Sequence, residues 1–172
     1  GEVTVLKALT SSYNTVAVRT AAYIGTQPIV DMARSMGITS THLPNDLSVA
    51  LGAASVTPLE MTVVFNCFAN GGKRTPPLMI REIRSSNGDV LESHEPQSLQ
   101  AIKPETAYTL RSMMFDVVRA GTGTRAKLPK VEVFGKTGTS NDFIDAWFIG
   151  GAPGLTTAIY TGNDNHKTLG RS

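Results

Sequence analysis

A single cysteine, Cys67, stands in the chain. That excludes an internal disulfide and any metal motif built on paired cysteines. Its setting, "VVFNCFANGG", is an apolar helix end, so Cys67 reads as a small buried hydrophobe. Histidine is nearly as scarce. His42, His94 and His166 are isolated, with no His-x-x-x-His pair, so they read as solvent-exposed residues and no metal or other cofactor is expected. Charge is sparse too, at 17% of residues, with a net charge of +2 and no basic block. Binding to nucleic acid or a polybasic contact with a membrane is therefore not expected. No apolar run reaches the length of a membrane span, and no signal peptide opens the chain, whose first residue is Gly1. What is present is apolar: 41% of 172 residues, enough for the core of one domain and unlike a disordered chain.

The hydrophobic pattern changes period along the chain. "NTVAVRTAAYIG" reads as a helix ending at Gly25. Thr26 is placed to cap a second helix, "QPIVDMARSMG", with Pro28 in its first turn, Gly37 at its end and Ile29, Met32, Ala33 and Met36 at helical spacing. "VTPLEMTVVFNCFANGG" carries the clearest start signal, a Thr57–Glu60 capping box with Pro58 at the first helical position. This helix is apolar nearly all round and should be buried, with Gly71 and Gly72 ending it. "PPLMIREIRSSNGDVLES" predicts a hairpin around a type I′ turn at Asn87–Gly88. "KPETAYTLRSMMFDVVRAG" is a helix from Pro104 to Gly121, with a stripe of Ala107, Leu110, Met114, Val117 and Val118. "VEVFGKT", "IDAWFIG" and "LTTAIYTG" then alternate like strands of an antiparallel meander. Helices first and strands last make the fold class α+β.

Two nucleotide motifs fail. A phosphate loop ending in Gly135-Lys136-Thr137 needs a glycine where Lys130 stands, and no helix follows. "GTGTRA", residues 121 to 126, resembles a loose dinucleotide fingerprint but follows a helix, so it reads as a loop closing that helix. No G-x-S-x-G elbow occurs. "KTGT", Lys136 to Thr139, remains. Its plain reading is a strand end with a surface lysine and a turn glycine. Ser12-Tyr13-Asn14, a Ser-x-Asn triplet, reads by default as a helix-capping turn.

Ser-x-Asn followed by Lys-Thr-Gly is, however, two-thirds of a catalytic set whose first element is Ser-x-x-Lys. With "LGAASVTPLEMTVVFNCFANGG", "GTGTRA" and "GKTGTSNDFIDAWFIG" in that order, nearly the whole chain resembles the transpeptidase domain of bifunctional, class A penicillin-binding proteins. The departure is that no serine here has a lysine three residues on, and eleven residues precede Ser12. Residues 1–172 are thus expected to be a partial domain of an α/β/α transpeptidase fold with an inserted β-hairpin. The segment with the nucleophile is expected upstream and a closing segment after "NHKTLGRS".

The resemblance implies a serine acyl transfer that cross-links peptidoglycan stem peptides from D-Ala-D-Ala and is blocked by β-lactams. It implies catalytic roles for Ser12 as a proton relay, Asn14 as a donor-amide ligand, Lys136 as a positive field and Thr139 through its backbone N–H. Thr137, Gly138 and Thr139 would bind substrate. The fragment alone would be inactive. In the longer protein the site would lie outside the cytoplasm, in the periplasm or on the outer face of the inner membrane, held by an anchor not in this chain. Open sheet edges would favour self-association of the fragment. Two alternatives stay open: a β-lactamase or β-lactam sensor domain, and a non-catalytic peptidoglycan-binding module. Asp142 and Asp145 read as turn chemistry and a surface hydrogen bond, Trp147 as packing between strand and helix, and Arg125 as a solvated side chain.

Overall fold

Thr57 builds the sharpest helix start in the molecule. Its hydroxyl accepts from the Glu60 N–H while the Glu60 carboxylate accepts from the Thr57 N–H, and Pro58 supplies the first helical residue. The helix that follows, α4 (Pro58–Ala69), is the middle of the fold. In the computed structural model, which describes residues 1–39 and 42–170, it is preceded by α1 (Val5–Thr10), α2 (Asn14–Ile24) and α3 (Thr26–Met36). Residues 171 and 172 of "NHKTLGRS" lie outside the described residues.

After α4 come the short strands β1 (Lys73–Arg74), β2 (Glu82–Arg84), β3 (Val90–Ser93) and β4 (Leu99–Gln100). Helix α5 (Pro104–Ala120) follows, then β5 (Phe134–Thr139), β6 (Asp145–Ala152) and β7 (Leu155–Gly162). The last three form an antiparallel sheet in the order β5-β6-β7, as the alternating pattern predicts. Both β5 and β7 keep one edge unpaired among the described residues.

The helices cover one face of that sheet. Phe65 from α4, Met114 from α5, Phe134 from β5 and Ile149 from β6 are buried together. Fully burying one such side chain stabilises by roughly 1.5–3 kcal/mol, so this cluster fixes the strands against the helices. A second cluster joins Met36, Cys67, Ile102 and Ala107. Helix α4 contributes to both, but only Glu60, Phe65 and Cys67 of it are buried and Leu59 is 57% exposed, so the helix is packed on two sides and not all round as its apolarity predicts. Cys67 is fully buried, with burial pushing its thiol pKa up. Trp147 is half-buried at the rim of the first cluster, with its ring centroid 4.8 Å from that of Tyr160.

Three further local expectations need correction. Thr26 does not cap α3 with its side chain. Gly25 holds the cap position, and the Thr26 hydroxyl donates instead to Asn45 Oδ1 at 2.6 Å, a stronger polar partner in the facing loop. Met32 is 47% exposed, because α3 meets α4 through its C-terminal end, where Met36 is buried. The hairpin β2–β3 forms, but its turn is not type I′, which needs positive φ at both central residues. Only Gly88 has one, at 91°. The Ser85 hydroxyl accepts from the N–H groups of Asn87 and Asp89, both at 3.2 Å, and these bonds favour a longer loop. Ser85 N–H donates to the Asp89 carbonyl and Gly88 N–H to the Ser85 carbonyl, leaving Ser86 to Gly88 as a three-residue loop.

Candidate active site

The turn between α1 and α2 carries Ser12 in the left-handed region, with φ of 55°. That conformation costs a non-glycine residue roughly 1–2 kcal/mol, so something must hold it. Ser12 N–H donates to the Leu9 carbonyl at 3.2 Å and Tyr13 N–H to the Ala8 carbonyl at 2.9 Å, locking the turn to the end of α1. Asn14 opens α2 on an exposed position, where Tyr13 is the cap residue. The triplet is thus a helix-capping turn through its backbone, closing α1 and placing Tyr13 at the cap of α2, while the side chain of neither Tyr13 nor Asn14 caps this helix.

Strand β5 supplies the facing wall. Alternation puts Phe134, Lys136 and Gly138 on the face turned to the helices, with Phe134 in the core two residues before Lys136. Lys136 is half-buried, and its ammonium crosses to the helical wall: Nζ donates to Ser12 Oγ at 2.8 Å, joining residues 124 apart in sequence. It also donates to the Thr137 carbonyl at 3.0 Å. Burial pushes the Lys136 pKa below the usual lysine range. A partly desolvated cation of this kind exerts a stronger field on a nearby anion than a solvated one.

The hydroxyls of the motif divide. Thr137 is half-buried and shares a hydrogen bond of 2.7 Å with the hydroxyl of Thr122, in the loop after α5. Thr139 is exposed at the end of β5, opposite Ala146. At Gly138 a Cβ would lie 3.4 Å from Trp147 Cβ, an ordinary contact, so packing against Trp147 does not by itself require glycine there. The free edge of β5 leaves backbone groups open to an extended chain.

Ser12 and Lys136 are therefore brought into contact. Thr137, Gly138 and Thr139 lie in line on the accessible strand, and Asn14 lies two residues beyond Ser12. The arrangement offers a cation, hydroxyl donors and strand N–H groups beside a serine, a set that suits an anionic, extended ligand. Thr122 escaped the sequence reading: its segment reads as a helix-closing loop, and only the tertiary contact singles it out. Asp145 makes a surface hydrogen bond, its Oδ1 accepting from the Tyr160 hydroxyl at 2.8 Å, and Asp142 sits in the β5–β6 turn. Arg125 is exposed.

Residues 1–170 match the family model described as the penicillin binding protein transpeptidase domain. Penicillin-binding protein 1A of Neisseria meningitidis is 40% identical over 177 residues, spanning 99% of this chain and 22% of that relative. The chain thus spans about a fifth of that relative's length. Among solved structures, penicillin-binding protein 1A from Haemophilus influenzae superposes with a TM-score of 0.89 at 26% identity, over 96% of this chain and 31% of that one. A Mycobacterium tuberculosis protein in complex with penicillin V gives 0.85 at 25% identity, over 96% of this chain and 49% of that one.

Proposed function

Because this chain belongs to the penicillin-binding protein transpeptidase domain family, of the class A type, we propose that it forms the donor-binding wall of a peptidoglycan D,D-transpeptidase. The observation that carries the reading is the 2.8 Å contact between Lys136 Nζ and Ser12 Oγ, which joins the two motifs across the molecule. In the proposed reaction a serine Oγ attacks the carbonyl of the D-Ala-D-Ala peptide bond. The C–N bond breaks, D-Ala leaves as the amine, and an acyl-enzyme forms. An amine from a second stem peptide then takes the acyl group.

Each residue has a physical task in that scheme. Lys136 and the hydroxyls of Thr137 and Thr139 hold the donor's terminal carboxylate. Gly138 lets the ligand lie close to the strand, and the β5 edge pairs with its extended backbone. The Thr139 N–H stabilises the oxyanion, an interaction worth roughly 3–4 kcal/mol where comparable donors have been removed. Ser12 passes a proton towards the leaving amine, its Oγ already in the hydrogen-bond chain of Lys136. Asn14 binds the donor amide. β-Lactams enter as donor mimics.

The nucleophile belongs to a Ser-x-x-Lys segment outside these 172 residues, and the site works outside the cytoplasm in a membrane-anchored longer protein. Alone, the chain is inactive, and its open β5 and β7 edges favour self-association, readable by light scattering. The names of the relatives disfavour a β-lactamase, sensor or non-catalytic module.

Mass spectrometry of the full-length protein after incubation with penicillin tests this reading. The expected result is one adduct, on a serine of a Ser-x-x-Lys segment, and none on the isolated 172-residue chain. Loss of a nucleophile typically lowers rate on the order of a million-fold. A stoichiometric adduct on Ser12 or any other serine here would overturn the assignment.

A further inference from the structure

The loop after α5 touches both walls of the site. Gly121 and Gly123 N–H groups both donate to the Val117 carbonyl at 3.0 Å, pinning the loop to the last turn of the helix. Between them, Thr122 N–H donates to the Thr10 carbonyl at 3.2 Å, at the end of α1 and two residues before Ser12. The approach is close: a Cβ on Gly121 would lie 2.4 Å from that same carbonyl oxygen. With its backbone fixed this way, Thr122 presents its hydroxyl to Thr137 on β5 at 2.7 Å.

Two hydroxyls that face each other have one proton each, and either can donate. If Thr137 donates to Thr122, its proton is spent. If Thr122 donates, the Thr137 proton is free to point at a third group. A carboxylate beside Lys136 selects the second arrangement, because an anion can only accept. We infer that Thr122 is a positioning residue for carboxylate recognition: it donates to Thr137 Oγ1 and so turns the single Thr137 proton towards the ligand. This rests on the carboxylate platform proposed above and deepens it by one residue. Thr122 acts through Thr137 and not on the reacting atoms.

The test uses the full-length protein with penicillin G and its methyl ester, which lacks the anion. A carboxylate held equally in the complex and the transition state contributes uniform binding. Thr137 keeps its proton in Thr122→Val but loses the donor that directs it, so this variant should raise the dissociation constant of the pre-acylation complex about threefold, as loss of one neutral hydrogen bond would, and leave the first-order acylation constant within about twofold. Thr122→Ser should restore wild-type binding. The ester should bind both forms alike, and Thr122→Val should add nothing to Thr137→Val. Equal losses for acid and ester, or an undiminished loss in the Thr137→Val background, would overturn the inference. If Thr122→Val fails to fold by circular dichroism, Thr122→Ala carries the same comparison. Wild-type binding by Thr122→Val beside an impaired Lys136→Ala sinks the positioning role alone. Wild-type behaviour in both sinks the platform.

Discussion

The two walls of the site are built by opposite means. Lys136 lies on a regular strand, between the buried ring of Phe134 and the rim packed by Trp147, with Ile149 opposite it on β6. Ser12 lies in a tight turn between two helices, in a left-handed conformation secured by a few backbone bonds. One wall takes its position from the core, while the other takes it from local backbone geometry. The cation and the hydroxyl meet only because the loop after α5 and the helical layer hold these separate constructions in register.

That difference sets the order of expected effects. Phe134→Ala removes a buried ring from behind the strand and should destabilise by about 3–5 kcal/mol, measured by chemical denaturation. Ser12→Gly should instead leave stability within about 1 kcal/mol of wild type, since relief of the positive φ offsets the entropy of a glycine in the unfolded chain. Acylation should still slow without the Ser12 hydroxyl. A large loss of stability in Ser12→Gly, or none in Phe134→Ala, would erase the contrast between the walls.

Smaller effects lie along the strand itself. Thr139→Val removes a hydroxyl at nearly constant volume and leaves the backbone N–H, so acylation by a labelled penicillin should drop by about tenfold and no further. Asp142→Ala, in the turn, should stay near the wild-type rate. Equal effects from the two would remove the distinction between platform and turn.

The smallest signal is in pH. Burial holds the Lys136 ammonium below the usual lysine range, so acylation that needs the cation should fall as pH rises through a value below that of a solvated lysine. Lys136→Arg should move that falling limb upward. The linkage has the opposite sign for folding. With the folded pKa depressed, the unfolded chain binds more protons, and stability rises with pH between the folded value and the unfolded one. A falling limb that Lys136→Arg leaves in place would assign it to another group.

Much of the fold was legible because its signals are local. Thr57, Pro58 and Glu60 fix the start of α4 within one turn, and the alternation in "VEVFGKT" and "IDAWFIG" sets the strands and their order. The hairpin was legible as a hairpin but not as a turn type, because the Ser85 hydroxyl competes for the backbone groups a type I′ turn would use. Thr26 was misread for the same reason: Asn45, far along the chain, offers its hydroxyl a better partner than its own helix. In the site, Lys136 and Ser12 came from motif order, which carries no distance. Their contact, and the place of Thr122 beside Thr137, depend on how α5 packs on β5, which no short window of sequence encodes.

The central claim is that Lys136 links the strand to the serine wall and provides the field for an anionic donor. It is tested most directly by the second-order acylation rate of full-length Lys136→Ala with penicillin, after circular dichroism shows native folding. A fall on the order of a hundredfold is predicted, larger than for Thr139→Val, because the charge and the bond to Ser12 go together. A wild-type rate in a folded Lys136→Ala protein would contradict the account and leave "KTGT" as the end of a strand.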